Sequence, residues 1–283
     1  ELFQRLGKLG QSREEQLKGL SGLAWSLLKS GKMSEAAEKF SELLRLDPPA
    51  AMAAEAALAR GQWLEKLNRP EEALSMYQLV AEQYSQTAQH ADALLAAARV
   101  CEKLRRFADA AGFYQRLVDD HPRSSFRDAA LYGWAWALRD SGRAGEGSAV
   151  FERLVSEHPQ SRLAADAAYR LAQQAFSAKD YPKTKKLLQA ALAANADPEV
   201  RKHAHFLVAQ TAVAEQDWLE ARRLFEEFAK QYADSGLRLA AEFWVAESFF
   251  RRQELDAAEE RLARLAKQCQ GRNEPWLAMI PLR

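Results

Sequence analysis

Little in this chain is suited to chemistry. Its 283 residues include two cysteines, Cys101 and Cys269, and five histidines. No His-x-x-x-His, Cys-x-x-Cys or EF-hand spacing occurs, so no metal motif is present. His203 and His205 lie two apart in a helical pattern and point about 200° from one another, which prevents them from gripping one ion. His121 and His158 both precede a proline and read as architecture, while His90 reads as a lone linker residue. Gly142, Gly145 and Gly147 follow a helical pattern and lack the Lys-Ser/Thr of a phosphate loop. Lys183, Lys185 and Lys186 read as a solvated helix face. Charge of one sign is missing too: 40 Lys and Arg face 39 Asp and Glu, a net of +1. That balance gives no electrostatic case for nucleic acid or an anionic membrane surface. No apolar run approaches the roughly 20 residues of a membrane span, and no stretch alternates as a half-buried strand does.

What the chain has is a period. A small residue stands at Ala36, Ala73, Ala110, Gly147, Thr184, Ala221 and Ala258, each 37 positions after the last. Four residues beyond each comes a large apolar group: Phe40, Tyr77, Tyr114, Phe151, Leu188, Phe225 and Leu262. Seven beyond comes another apolar residue, from Leu43 to Leu265. This spacing is one face of a helix. Twelve residues before the anchor the chain admits only Ala or Gly: Ala24, Gly61, Ala98, Ala135, Ala172, Ala209 and Ala246. A position restricted in this way marks two helix backbones that approach closely. Short turns such as Ser30-Gly31-Lys32 and Asn68-Arg69-Pro70 separate the two helices, and breakers such as His121-Pro122 and His158-Pro159 follow the second helix, though Ala233 and Gln270 replace the proline in units six and seven. Ser124, Ser161 and Ser235 are placed to cap the next helix. The pattern predicts an all-α, right-handed solenoid of helix-turn-helix units in a single body over residues 1–283. Seven repeats fill 17–275, residues 1–16 end a preceding repeat and 276–283 begin a following one. Phe3 and Leu6 are in phase with a second helix, and Trp276 to Leu282 with a first helix. The chain therefore reads as a piece of a longer array, with exposed apolar ends that could associate end to end. Cys101 and Cys269 fall four units apart, tens of Å at roughly 8–10 Å between stacked helices, too far for a disulfide.

Leu94-x-x-Ala97-Ala98, followed by Ala110-x-x-x-Tyr114 and Pro122, resembles the tetratricopeptide repeat. The usual unit is about 34 residues, and the extra three extend the first helix. The wording from Phe151 through His158-Pro159 to Leu171-Ala172 is similar to the bacterial cell-envelope branch of that superfamily, of the Tol-Pal accessory protein and outer-membrane-assembly lipoprotein type. The resemblance implies a non-enzymatic scaffold that needs no cofactor and binds a protein or peptide on a concave face lined by first helices. It also favours the periplasm or cell envelope, with the cytoplasm open. Two alternatives stand beside it: an array that positions a larger envelope enzyme, and a self-assembling scaffold. The constant period leaves no inserted loop to carry an active site.

On the first helices, three rows point away from the small packing residue. They supply the candidate partner-binding residues Trp25, Arg99, Tyr132, Trp136, Arg139, Tyr169, Phe176, Phe206, Phe243 and Phe250. Aromatic and arginine side chains are the usual anchors of protein interfaces. The Lys and Asn of a carboxylate clamp are not reproduced, since Ser21 and Trp25 stand where the first of them would be needed.

Overall fold

The computed structural model describes residues 12–192 and 195–268. These residues form fourteen helices and, among themselves, no strand. In order they are α1 (Arg13–Lys29), α2 (Met33–Arg45), α3 (Ala50–Lys66), α4 (Pro70–Gln83), α5 (His90–Lys103), α6 (Phe107–Asp120), α7 (Arg127–Asp140), α8 (Ala144–Glu157), α9 (Arg162–Ser177), α10 (Tyr181–Ala191), α11 (Pro198–Ala214), α12 (Trp218–Gln231), α13 (Arg238–Arg251) and α14 (Leu255–Gln268). Odd-numbered helices are the first helices of the repeats and even-numbered ones the second. The chain divides into two compact units, Glu1–Val150 and Phe151–Arg283. Each is a helical-repeat solenoid in which a helix packs chiefly on its neighbours in sequence. The expectations at Phe3, Leu6, Cys269 and Trp276–Leu282 lie outside the described residues.

One backbone device closes every first helix. Gly31, Asn68, Arg105, Gly142, Lys179, Gln216 and Gln253 all have positive φ, between 57° and 86°, and each stands 37 positions after the last. The next residue's N–H reaches back to the helix: Lys32 to the Leu27 carbonyl at 2.9 Å, Arg143 to Leu138 at 2.8 Å, Glu254 to Phe249 at 3.0 Å, with the same bond in the other four repeats. This is the Schellman arrangement, which satisfies carbonyls that the helix leaves open. Glycine meets its conformational demand freely at 31 and 142. Arg105, Lys179, Gln216 and Gln253 hold the same conformation against their own β-carbon, at a cost of roughly 1 kcal/mol.

The small rows are the contact lines. The anchors Ala36, Ala73, Ala110, Thr184, Ala221 and Ala258 are all buried, as are Ala24, Gly61, Ala98, Ala135, Ala172, Ala209 and Ala246. Between them lie Phe40, Tyr77, Tyr114, Phe225 and Leu262, also buried. Two anchors depart from alanine, and each has a local reason. Thr184 is fully buried, and its hydroxyl donates to the Asp180 carbonyl at 2.7 Å, which removes the penalty of a buried hydroxyl. At Gly147 a β-carbon would lie 2.6 Å from the Ala135 carbonyl oxygen and 2.8 Å from Arg139 Cγ. α8 therefore comes nearer to α7 than an alanine would allow. Ser161 caps α9 by accepting from the Leu163 N–H. Ser124 and Ser235 act one step earlier, accepting from the N–H of Phe126 and Leu237 in the turns that lead into α7 and α13.

Glycine substitutions test this packing. A β-carbon at Gly61 would meet the Tyr77 ring at 2.5 Å, and one at Gly133 the Tyr114 ring at 2.4 Å. Both rings are buried, so Gly61→Ala and Gly133→Ala are each expected to cost about 1–3 kcal/mol. Gly112 lies within α6 with nothing in reach of an added β-carbon. Gly112→Ala is expected to stabilise by about 0.8 kcal/mol through helix propensity. Urea unfolding of the three variants checks the order; equal effects at 61 and 112 would contradict the close approach.

Candidate functional site

The first helices of the unit Glu1–Val150 carry five of the candidate residues. Trp25 on α1 is 36% exposed, with its ring edge-on to Phe40 at 5.4 Å. Arg99 on α5 is exposed. α7 carries the other three as a stripe. Tyr132 and Trp136 are one turn apart and half-buried, with ring centroids 6.2 Å apart in an edge-to-face arrangement. Arg139 is exposed, and its guanidinium lies 4.6 Å from the centre of the Trp136 ring, within cation–π range. The same helix buries Leu131, Ala135 and Leu138 on an adjoining face. Leu131, Ala135 and Leu138 recur at the spacing of one face, which leaves Tyr132, Trp136 and Arg139 to fall on another.

In the unit Phe151–Arg283 the candidates are less accessible. Tyr169 on α9 accepts from Gln173 at 3.0 Å and lies 6.3 Å from the His203 ring. Phe176 leans on Tyr181 at 6.0 Å. Phe206 on α11 contacts the core rings Phe225 and Phe228 at 5.3 and 5.2 Å, and Phe250 on α13 is half-buried. Phe243 must be corrected. It is 1% exposed and packed with Leu239, Ala246, Leu262 and Leu265, so it is a core residue with no surface to offer a partner. α13 buries it because α14 supplies leucines over that face. The row changes character along the chain although its spacing does not.

The structure adds polar contacts that the sequence reading missed. The Tyr77 hydroxyl donates to Glu65 at 2.7 Å, and Lys103 of the next repeat pairs with the same carboxylate at 2.7 Å. One repeat on, the Tyr114 hydroxyl bonds Glu102. Burial, with the neighbouring carboxylate, pushes both phenols up. Burial also raises Glu102, against the Tyr114 hydroxyl and Arg99, which favour its charged form, while Asp140 adds to the rise. The signal was the pairing of Tyr with Glu at two positions, each repeated after 37. The same burial pushes the Cys101 thiol up to about 11, the behaviour of a packing residue. His90 is a second correction. It opens α5, is 2% exposed, and its Nδ1 lies 2.9 Å from His121 Nε2. Burial, then His121, hold it below the ordinary histidine value, with Asp120 opposing and Arg116 reinforcing. His205 is lowered likewise by burial and by Arg201.

Among the described residues no group of three or more His, Cys, Asp or Glu side chains could hold a metal ion, and no helix is long and apolar enough to cross a membrane. Family models described as tetratricopeptide repeat match residues 21–88 and 58–125, and in a second form 129–161 and 203–235, together more than half of the chain. No curated protein sequence matches. Among solved structures, the C-terminal part of a TPR repeat-containing protein from Cytophaga hutchinsonii is 16% identical, with a TM-score of 0.59 over 87% of this chain and 94% of that one. YrrB, described as a TPR protein with an unusual peptide-binding site, is 20% identical, with a TM-score of 0.53 over 72% and 97%. A tetratricopeptide repeat protein from Parabacteroides merdae is 15% identical, with a TM-score of 0.50 over 96% and 98%. At these identities the likeness concerns the fold.

His90, buried, and His205, half-buried, set a pH dependence. Their folded-state affinity for protons is reduced, so the unfolded chain binds protons first as pH falls through about 6.5. Stability should therefore decline from pH 7 towards pH 5. Glu102, raised in the fold, pulls the other way as pH falls towards its ordinary carboxylate value. His90→Asn is expected to flatten the slope of the thermal midpoint between pH 7 and 5. A midpoint that rises on acidification over this window, or a slope unchanged by the substitution, would count against the assignment.

Proposed function

The chain belongs to the tetratricopeptide-repeat family, and from that premise we propose that it is a non-enzymatic scaffold that binds a partner protein or peptide on the concave side formed by its first helices. Proteins of this family generally mediate protein–protein interactions. The observation that carries the reading is the α7 stripe. On a helix buried at Leu131, Ala135 and Leu138 on one flank and at Gly133 and Ala137 on the other, Tyr132, Trp136 and Arg139 keep accessible surface. A large aromatic pair with an arginine laid on it is what interface anchors are made of. Trp25 and Arg99 extend the proposed surface within the same unit, and Tyr169, Phe176, Phe206 and Phe250 are the candidates of the other unit, each unit taken by itself; Phe243 does not belong among them. YrrB's described peptide-binding site supports a peptide as occupant. The wording of residues 151–172 favours a bacterial cell-envelope setting for the scaffold.

Trp136 decides between anchor and core. Truncating a desolvated interface anchor typically costs about 2 kcal/mol or more in binding, roughly thirtyfold in affinity. Truncating a core tryptophan costs about 3–5 kcal/mol of stability instead. The partner retained from lysate by the wild-type chain is first identified and purified. Its affinity is then measured for Trp136→Ala, for Arg99→Glu, and for Glu38→Lys on the exposed face of the second helix α2. The scaffold reading expects a near-normal thermal midpoint and at least tenfold weaker binding for Trp136→Ala, weaker binding for Arg99→Glu, and none of this for Glu38→Lys. Equal losses on both faces, or a collapsed midpoint for Trp136→Ala, would sink it.

A further inference from the structure

Resting on that reading of the first-helix face, we infer that Arg139 and Trp136 form a seat for an internal Asp or Glu side chain of the partner peptide, with an adjoining apolar residue laid against Tyr132 and Trp136. The positions equivalent to Arg139 in the two preceding units are Glu65 and Glu102. Both carboxylates are occupied within the fold: Glu65 by the Tyr77 hydroxyl and Lys103, Glu102 by the Tyr114 hydroxyl. In the fourth unit two residues change together. Arg139 replaces the glutamate, and Phe151, which has no hydroxyl, stands where Tyr77 and Tyr114 stand. The charge at this position is reversed, and the aromatic that would have bonded a carboxylate there has lost the group to do so.

The reversed charge is held in place and left unneutralised. The Arg139 stem passes over Gly147, where a β-carbon would lie 2.8 Å from Cγ. Its guanidinium then lies over Trp136 at 4.6 Å. Among the described residues no carboxylate pairs with it. Stacking on an indole occupies one face of the guanidinium and leaves its edge, with parallel N–H donors, open to a bidentate carboxylate. A stacked arginine is already ordered, so less side-chain entropy is lost when the partner arrives.

Neighbouring charge selects a single carboxylate over a polyanion. Asp140 is adjacent in sequence and acts on Glu102 across the repeat. A phosphate chain or nucleic acid long enough to span Arg99 and Arg139 would meet both acids. One acidic side chain at Arg139 avoids them. An internal side chain is preferred to a chain terminus because capture of a terminal carboxylate uses free backbone N–H groups, and position 139 lies in the last turn of α7, where the N–H groups are spent within the helix.

The probes are two displayed libraries of random dodecapeptides, one flanked by fixed linkers at both ends and one with a free carboxyl terminus. Each is selected on the wild-type chain, and the best peptide is then titrated against Arg139→Gln, Arg139→Glu and Trp136→Ala. The inference expects binders from the linker-flanked library that share an Asp or Glu within three positions of an aromatic or aliphatic residue. Arg139→Gln should weaken them at least tenfold, as should Glu→Gln in the peptide, and the two changes together should cost little more than either alone. Arg139→Glu should shift the selected charge towards Lys. Thermal midpoints of the two Arg139 variants should match the wild type, since position 139 is exposed. Enrichment from the free-terminus library alone would overturn the internal-side-chain assignment. Binders that depend on Trp136 but not on Arg139 would overturn the carboxylate seat and leave the scaffold reading standing. Binders indifferent to both residues, or an absence of binders, would overturn both.

Discussion

The structure depends on the close approach of helix backbones at a small residue, made once per repeat. Ala24 through Ala246 on the first helices, and Ala36 through Ala258 on the second, are buried because, Thr184 apart, no side chain beyond a methyl group intervenes at the crossing. A gap left there would forfeit dispersion contacts along both helices, and a larger side chain would force them apart. The aromatic four residues on fills the space beside each crossing. Since each contact is local to one helix pair and its neighbours, any repeat can vary at its surface provided it keeps this line.

The period made that constraint legible before any coordinates. A residue class confined to Ala, Gly and one Thr at a fixed spacing identifies the contact line, and the 0, 4, 7 spacing beside it identifies the helix face. The turn was only partly legible. Gly31, Asn68 and Gly142 announce a left-handed residue by their type, whereas Arg105, Lys179, Gln216 and Gln253 do not, though they occupy the same column. Position within the repeat carried the information that side-chain chemistry withheld. The 6→1 bond back to the helix holds them there, since the carbonyl at its far end would otherwise lose a partner.

Surface and core on the first helices were harder to separate, for a physical reason. Whether the residue fifteen before the anchor is buried depends on what the neighbouring helices place against it, and sequence spacing is blind to this. Tyr132 stays half-open, Phe206 leans on Phe225 and Phe228, and Phe243 is enclosed beneath Leu262 and Leu265. His90 was misread for the same reason. A polar residue just after a turn signal suggests a linker, yet the ring of His121 faces it at hydrogen-bonding distance and His90 itself is sealed from water.

In an array of this kind, departures from the repeat divide into two sorts. Thr184 departs and repairs itself: its hydroxyl finds the carbonyl four residues back, and the packing line continues. Gly147 departs and does not restore the line to its usual form; it brings α8 closer to α7, and the room where an anchor methyl would stand is taken by the stem of Arg139. Arg139 in turn stands where the two preceding repeats have Glu65 and Glu102, and Phe151 lacks the hydroxyl by which Tyr77 and Tyr114 served them. Substitutions that answer one another within the fold keep it stable and ask for nothing further. The set at 139, 147 and 151 leaves a fixed positive charge on an aromatic plate at the surface, unanswered by any carboxylate among the described residues. Such a charge keeps its full electrostatic demand only where a partner can meet it, and this concentrates the binding argument on α7.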